Sequence, residues 1–162
     1  MNDPPAATGG PRGDSTIGQS AETAQAGWFL LFACWLIALM ALLGSLFFSE
    51  VMDLQPCVLC WYQRIFMYPL AVILLFGLFP LDRGVIRYAL PLAMLGWGFA
   101  VYHYLVYSGY IPESLQPCDE GGVSCSEINL ELFGFMTIPM MSILSFTAII
   151  VLLIVARKRG FQ

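Results

Sequence analysis

Cys57 and Cys60 form a C-x-x-C pair, and Cys118 and Cys125 form a second pair with six residues between them. Two dithiols in one small chain can hand on oxidising equivalents, because a thiolate that attacks a disulfide leaves a new disulfide behind. Pro56 suits a helix start, so Cys57 is expected at the opening turn of a helix. The unpaired N–H groups and the positive dipole end found there favour a thiolate. Cys57, Cys60 and Arg64 are spaced i, i+3 and i+7, which predicts one helical stripe carrying two thiols and a cation.

Arg64 sits about two turns into an apolar stretch, where a charge is costly and commonly functional. An arginine can also snorkel to the headgroups. Beside Cys60 it points to a polar or polarisable ligand. A quinone head group fits, being lipid-soluble, able to accept two electrons, and made more electron-poor by a cation near its carbonyl. His103 reads first as a packed or interfacial histidine, and Cys34 as a small packing residue. In the second pair, Gly121 and Gly122 should let the chain turn so that an intraloop disulfide closes. Ser124 and Glu127 match an S-x-x-E capping box, and Ile128, Leu132 and Phe135 recur at helical spacing, which predicts a short interfacial helix. C-x2-C with a distant C-x6-C is poor spacing for zinc, and no metal site is expected.

The elements that must position these groups are membrane helices. The chain has 162 residues, 59% of them hydrophobic and 11% charged, with a mean hydropathy of +0.76. Such a composition excludes an ordinary soluble domain. Gly27 to Phe48 and Leu132 to Ala156 carry no charge and are long enough to cross a hydrocarbon core of about 30 Å. Val58 to Phe79 is apolar except for Gln63 and Arg64, and Tyr88 to Tyr107 is apolar and aromatic with one histidine, His103. The expected fold is an all-α bundle of four transmembrane helices with both termini on one side.

Lysine and arginine set the orientation. Arg12 lies in the N-terminal tail, Arg83 and Arg87 between the second and third spans, and Arg157, Lys158 and Arg159 after the fourth. These segments should be cytoplasmic. The segments Ser49 to Pro56 and Ser108 to Glu131 hold no Lys or Arg and are acidic, so they should face outward with both cysteine pairs. The net charge of −4 therefore collects mainly in the outer loops and the N-terminal tail, and nucleic acid is not an expected partner. Residues 1–26 are poor in large apolar side chains and are expected to form a disordered cytoplasmic tail. Residues 27–156 are expected to form a four-helix transmembrane oxidoreductase domain, and 157–162 a basic cytoplasmic tail.

The run Pro56-Cys57-Val58-Leu59-Cys60-Trp61-Tyr62-Gln63-Arg64 resembles the disulfide bond formation protein B (DsbB) family, particularly its short-loop, BdbC-like members. Phe133-Gly134-Phe135-Met136-Thr137-Ile138-Pro139 resembles that family's entry to the fourth span, and the order of the two pairs is also the family's. The resemblance implies a thiol:quinone oxidoreductase of the bacterial cytoplasmic (inner) membrane, with its cysteine loops facing the periplasm or exterior. By the same resemblance, Cys118, bonded to Cys125, would form the mixed disulfide with a DsbA-like thioredoxin-fold partner. Cys57 would then re-oxidise that pair. Cys60 would pass the electrons to ubiquinone or menaquinone beside Arg64, with His103 as a quinone neighbour. The six-residue loop spacing departs from the best-known members, whose loop cysteines are much further apart. Two other readings stay open: a quinone reductase similar to vitamin K epoxide reductase, in which the C-x-x-C would follow the loop cysteines, and a non-enzymatic four-span adaptor with structural disulfides.

Overall fold

The computed structural model describes residues 14–53, 56–79, 82, 84–111 and 138–159. The described residues form four helices: α1 (Asp14–Glu50), α2 (Val58–Leu78), α3 (Val85–Tyr107) and α4 (Ile138–Arg159). Each is long and apolar enough to cross a membrane, over Ala24–Glu50, Val58–Leu78, Val85–Tyr107 and Pro139–Lys158. The described residues contain no strand, so the fold is the expected all-α four-span bundle.

The helices close a ring in which each packs on its chain neighbours and α4 packs back on α1. Buried side chains recur at helical spacing, as in Leu31, Cys34 and Ala38 of α1 and Leu70 and Leu74 of α2. On α3 the buried positions Ala89, Ala93, Gly96 and Ala100 form a stripe of small residues, which lets neighbouring backbones approach. Phe146 of α4 fills the space at Gly96, where an added Cβ would lie 2.4 Å from the Phe146 ring. Large apolar side chains such as Phe29, Phe76 and Leu95 point outward, as lipid-facing positions require.

Two boundaries differ from expectation. The first helix begins at Asp14, so residues 14–26 carry helical backbone ahead of the apolar span. Their Ala, Glu and Gln are good helix formers, and extending an existing helix avoids the cost of nucleation. The third helix begins at Val85, just after Gly84, whose N–H donates to the Asp82 carboxylate at 2.8 Å. Residues 1–13, with Arg12, lie outside the described residues, as do Arg83, the loop pair Cys118 and Cys125, and the interfacial helix expected around Ser124 to Phe135.

Candidate active site

Pro56 delivers the chain to Cys57, which is the N-cap of α2 with extended backbone angles (φ −64°, ψ 163°). Its sulfur accepts a hydrogen bond from the Cys60 backbone N–H at 3.4 Å, as a serine or aspartate oxygen does in an ordinary N-cap. The Cys57 and Cys60 sulfurs are 2.9 Å apart, a separation suited to bond formation between them. Hydrogen bonding from the Cys60 thiol holds Cys57 well below the usual thiol range, with His103 acting in the same direction and burial opposing both. The Cys60 backbone N–H at the helix start acts in the same direction, as the smallest of these contributions.

Beyond the dithiol the three residues of the expected stripe divide. Cys60 and Arg64 line one cavity, together with Met40, Ser45, Met67 and Phe146, in a space of about 190 Å³ between α1, α2 and α4. Cys57 instead packs with Leu59 and Val106 on the α3 side. The 100° step applies to residues with helical dihedrals, and an N-cap lies outside them.

Arg64 is buried at 9% exposure. Its Nε donates to Ser45 Oγ at 2.8 Å and its Nη2 to the Ser45 carbonyl at 2.7 Å. Its guanidinium carbon also stands 5.8 Å from the Trp61 ring centroid, within cation–π range. These contacts pull the charge toward α1 and the cavity wall rather than out along the helix to the headgroups.

His103 is buried at 2% exposure and does not line that cavity. Its Nε2 is 3.6 Å from the Cys57 sulfur, and its Nδ1 is 3.1 Å from Gln63 Nε2. Gln63 Oε1 in turn accepts from Ser142 Oγ at 2.9 Å, which links α2, α3 and α4 in one polar chain. The donor atoms of Cys57, Cys60 and His103 all lie within 4.8 Å of one another, a set able to meet a thiophilic ion. Two thiolates sharing a zinc at about 2.3 Å would stand roughly 3.8 Å apart. The observed sulfur contact is closer than that and suits a redox dithiol better. Cys34, fully buried with its thiol 3.9 Å from the Ile149 carbonyl, is a packing residue remote from this chemistry.

Nothing in the sequence marks Ser45 or Ser142 as a polar partner within the site, or Gln63 as the counterpart of Ser142 across the bundle. Gln63 alone carried a signal, as a polar side chain in a membrane span.

The family model for disulfide bond formation protein DsbB matches residues 26–156. A "Probable disulfide formation protein" of Metapseudomonas resinovorans is 47% identical over 132 residues, covering 82% of this chain and 92% of the relative. "Disulfide bond formation protein C" of Bacillus subtilis (strain 168) is 45% identical over 121 residues, covering 75% and 87%. A "Probable disulfide formation protein" of Coxiella burnetii (strain RSA 493 / Nine Mile phase I) is 45% identical over 119 residues, covering 72% and 80%. No solved structure is significantly similar to the chain. With four apolar helices around a C-x-x-C dithiol, the chain belongs to the DsbB family and is a multi-pass membrane protein of disulfide bond formation.

Proposed function

We propose that the protein is a thiol:quinone oxidoreductase that re-oxidises a DsbA-like thioredoxin-fold dithiol outside the cytoplasm and delivers the electrons to the quinone pool of the bacterial inner membrane. The observation that carries this reading is the cavity shared by Cys60 and Arg64. Its volume of about 190 Å³ exceeds the roughly 150 Å³ known to admit a benzene ring. Its wall is largely apolar, with Met40, Met67 and Phe146 lining it, and the Arg64 guanidinium is a donor suited to a ring carbonyl. Ubiquinone and menaquinone both meet these requirements. A quinone bound there would supply an acceptor for two electrons and two protons.

The chain's own residues do the rest. In this reading Cys118 and Cys125, in the outer loop, take two electrons and two protons from the partner dithiol as its disulfide forms. The reduced loop pair then reduces the Cys57–Cys60 disulfide, and its own bond is restored. Cys57, favoured as a thiolate by the start of α2, is the sulfur exchanged with the loop. Cys60, on the cavity wall, is the sulfur that faces the acceptor, while Arg64 orients that acceptor and withdraws electron density from it. Orientation follows from the basic residues, with both termini cytoplasmic.

Photolabelling tests the placement. A photoreactive quinone analogue should mark peptides of α1, α2 and α4 around Ser45, Arg64 and Ser142, and unlabelled quinone should compete. Labelling confined to lipid-facing positions and indifferent to competitor would overturn the assignment.

A further inference from the structure

The polar chain behind the dithiol has a direction, and that direction fixes the state of the only histidine in the sequence. Ser142, Gln63, His103 and Cys57 are joined through contacts of 2.9, 3.1 and 3.6 Å, all between side chains from different helices. Around a neutral imidazole, two arrangements of protons satisfy such a chain. In one, Cys57 gives a proton to His103 Nε2, Nδ1–H donates to the Gln63 carbonyl, and the amide donates to Ser142. In the other, every donor points the opposite way.

We infer that Ser142 and Gln63 are positioning residues that hold His103 as its Nε2–H tautomer, with that hydrogen aimed at the Cys57 sulfur. The choice is made at the Cys57 end. Its sulfur caps α2 and already accepts the Cys60 backbone N–H at 3.4 Å, so the helix start favours the thiolate there. A thiolate has no proton to give and needs a donor at Nε2. A neutral imidazole that donates from Nε2 has its lone pair on Nδ1, which must then meet the amide NH2 of Gln63. That leaves the Gln63 oxygen facing Ser142, whose hydroxyl donates to it. The proton stays on Nε2 throughout, so the chain stabilises charge without adding a redox step. Held in this way, His103 serves the sulfur that exchanges with the outer loop, on the side of the dithiol away from the cavity.

Among the described residues, the titratable groups around Cys57 are Cys60 on α2 and His103 on α3, with Tyr102 packed beside them. Arg64 lies one turn beyond Cys60, on the cavity side. The inference rests on the proposed function for its meaning, yet its test needs no quinone and no partner.

Because His103 is the sole histidine, ring-15N-histidine labelling of the reduced, full-length protein carrying a histidine-free affinity tag reports one residue. The expected spectrum shows a protonated Nε2 and an unprotonated Nδ1. Gln63→Met should produce a mixture of tautomers and raise the proton affinity of Cys57 about tenfold, which moves its residue-resolved alkylation profile up by about one pH unit. Ser142→Ala, which leaves Gln63 in place, should move both readouts in the same direction by less. A wild-type protein with the proton on Nδ1 would overturn the inference, as would unchanged 15N spectra and alkylation profiles in both variants. Failure of quinone-dependent turnover in the wild type, with the Nε2–H tautomer intact, would instead count against the proposed function alone.

Discussion

The Arg64 guanidinium is held by a single residue of the neighbouring helix, donating to the Ser45 hydroxyl at 2.8 Å and to the Ser45 carbonyl at 2.7 Å. This double contact ties α2 to α1 at the cavity wall and fixes where the positive charge stands. Arg64→Met should therefore weaken the apparent quinone affinity by on the order of tenfold or more, the scale of a lost hydrogen bond to a charged group. Arg64→Lys keeps the charge without the planar fork and should fall between. Ser45→Ala removes the hydroxyl and leaves the carbonyl, so its effect should be in the same direction and smaller. Quinone titrations of turnover measure all three. Single-turnover oxidation of the thiol partner should survive each change, since Arg64 acts after that step.

Cys57 should remain reactive in acid. The Cys60 thiol and His103 hold its folded-state pKa at about 4, far below the ordinary thiol range. The thiolate is accordingly present above that folded value and is lost as pH falls through it. Alkylation of Cys57 in the reduced protein should stay nearly flat from neutral pH down to about pH 5, where an ordinary thiol of pKa about 8.5 would slow about tenfold for each unit. A steep decline below pH 8 would show that Cys60 and His103 do not stabilise the Cys57 thiolate. The same linkage makes the reduced fold gain stability from this group above the unfolded thiol's pKa and lose it as acid protonates the folded one.

Gly96 and Gly98 lie on the same helix and should respond oppositely to one methyl group. A Cβ at Gly96 would meet the buried Phe146 ring at 2.4 Å, whereas one at Gly98 meets nothing within 4 Å. Gly96→Ala should cost about 1–3 kcal/mol through overpacking. Gly98→Ala should be neutral or stabilising, because alanine is the better helix former. Thermal unfolding in detergent compares them, and because Phe146 also lines the cavity, Gly96→Ala should disturb quinone use as well.

Much of this arrangement is visible in the sequence, and the remainder is hidden for definite reasons. Arg64 can be tied to Cys60 because both lie on one helix at a spacing of four, and periodicity alone makes them neighbours. Ser45 cannot be found in that way. A serine in a membrane helix ordinarily bonds its own backbone, as Ser49 does here, and nothing local marks the one that meets an arginine across the bundle. His103 is separated from Cys57 by 46 positions and from Gln63 by 40, so only the packing of α3 against α2 decides whether it faces the dithiol or the cavity. The i, i+3, i+7 pattern also placed Cys57 with Arg64, although the cap residue turns toward α3. Cap dihedrals break a rule built for helix interiors.

The distribution of Lys and Arg predicts the topology. A reporter active only outside the cytoplasm should stay dark when fused after residue 84 and become active when fused after residue 112. The reverse pattern would place both cysteine pairs on the reducing side and remove the basis for a disulfide relay.

The decisive measurement is turnover of the purified protein. Mixed with a reduced thioredoxin-fold dithiol and a soluble quinone, it should form one substrate disulfide for each quinone reduced. Cys60→Ser and Cys118→Ser should each abolish that activity, and Cys34→Ser should retain it. Oxidation that is absent in the wild type, that proceeds without quinone, or that continues undiminished in Cys60→Ser would contradict the account.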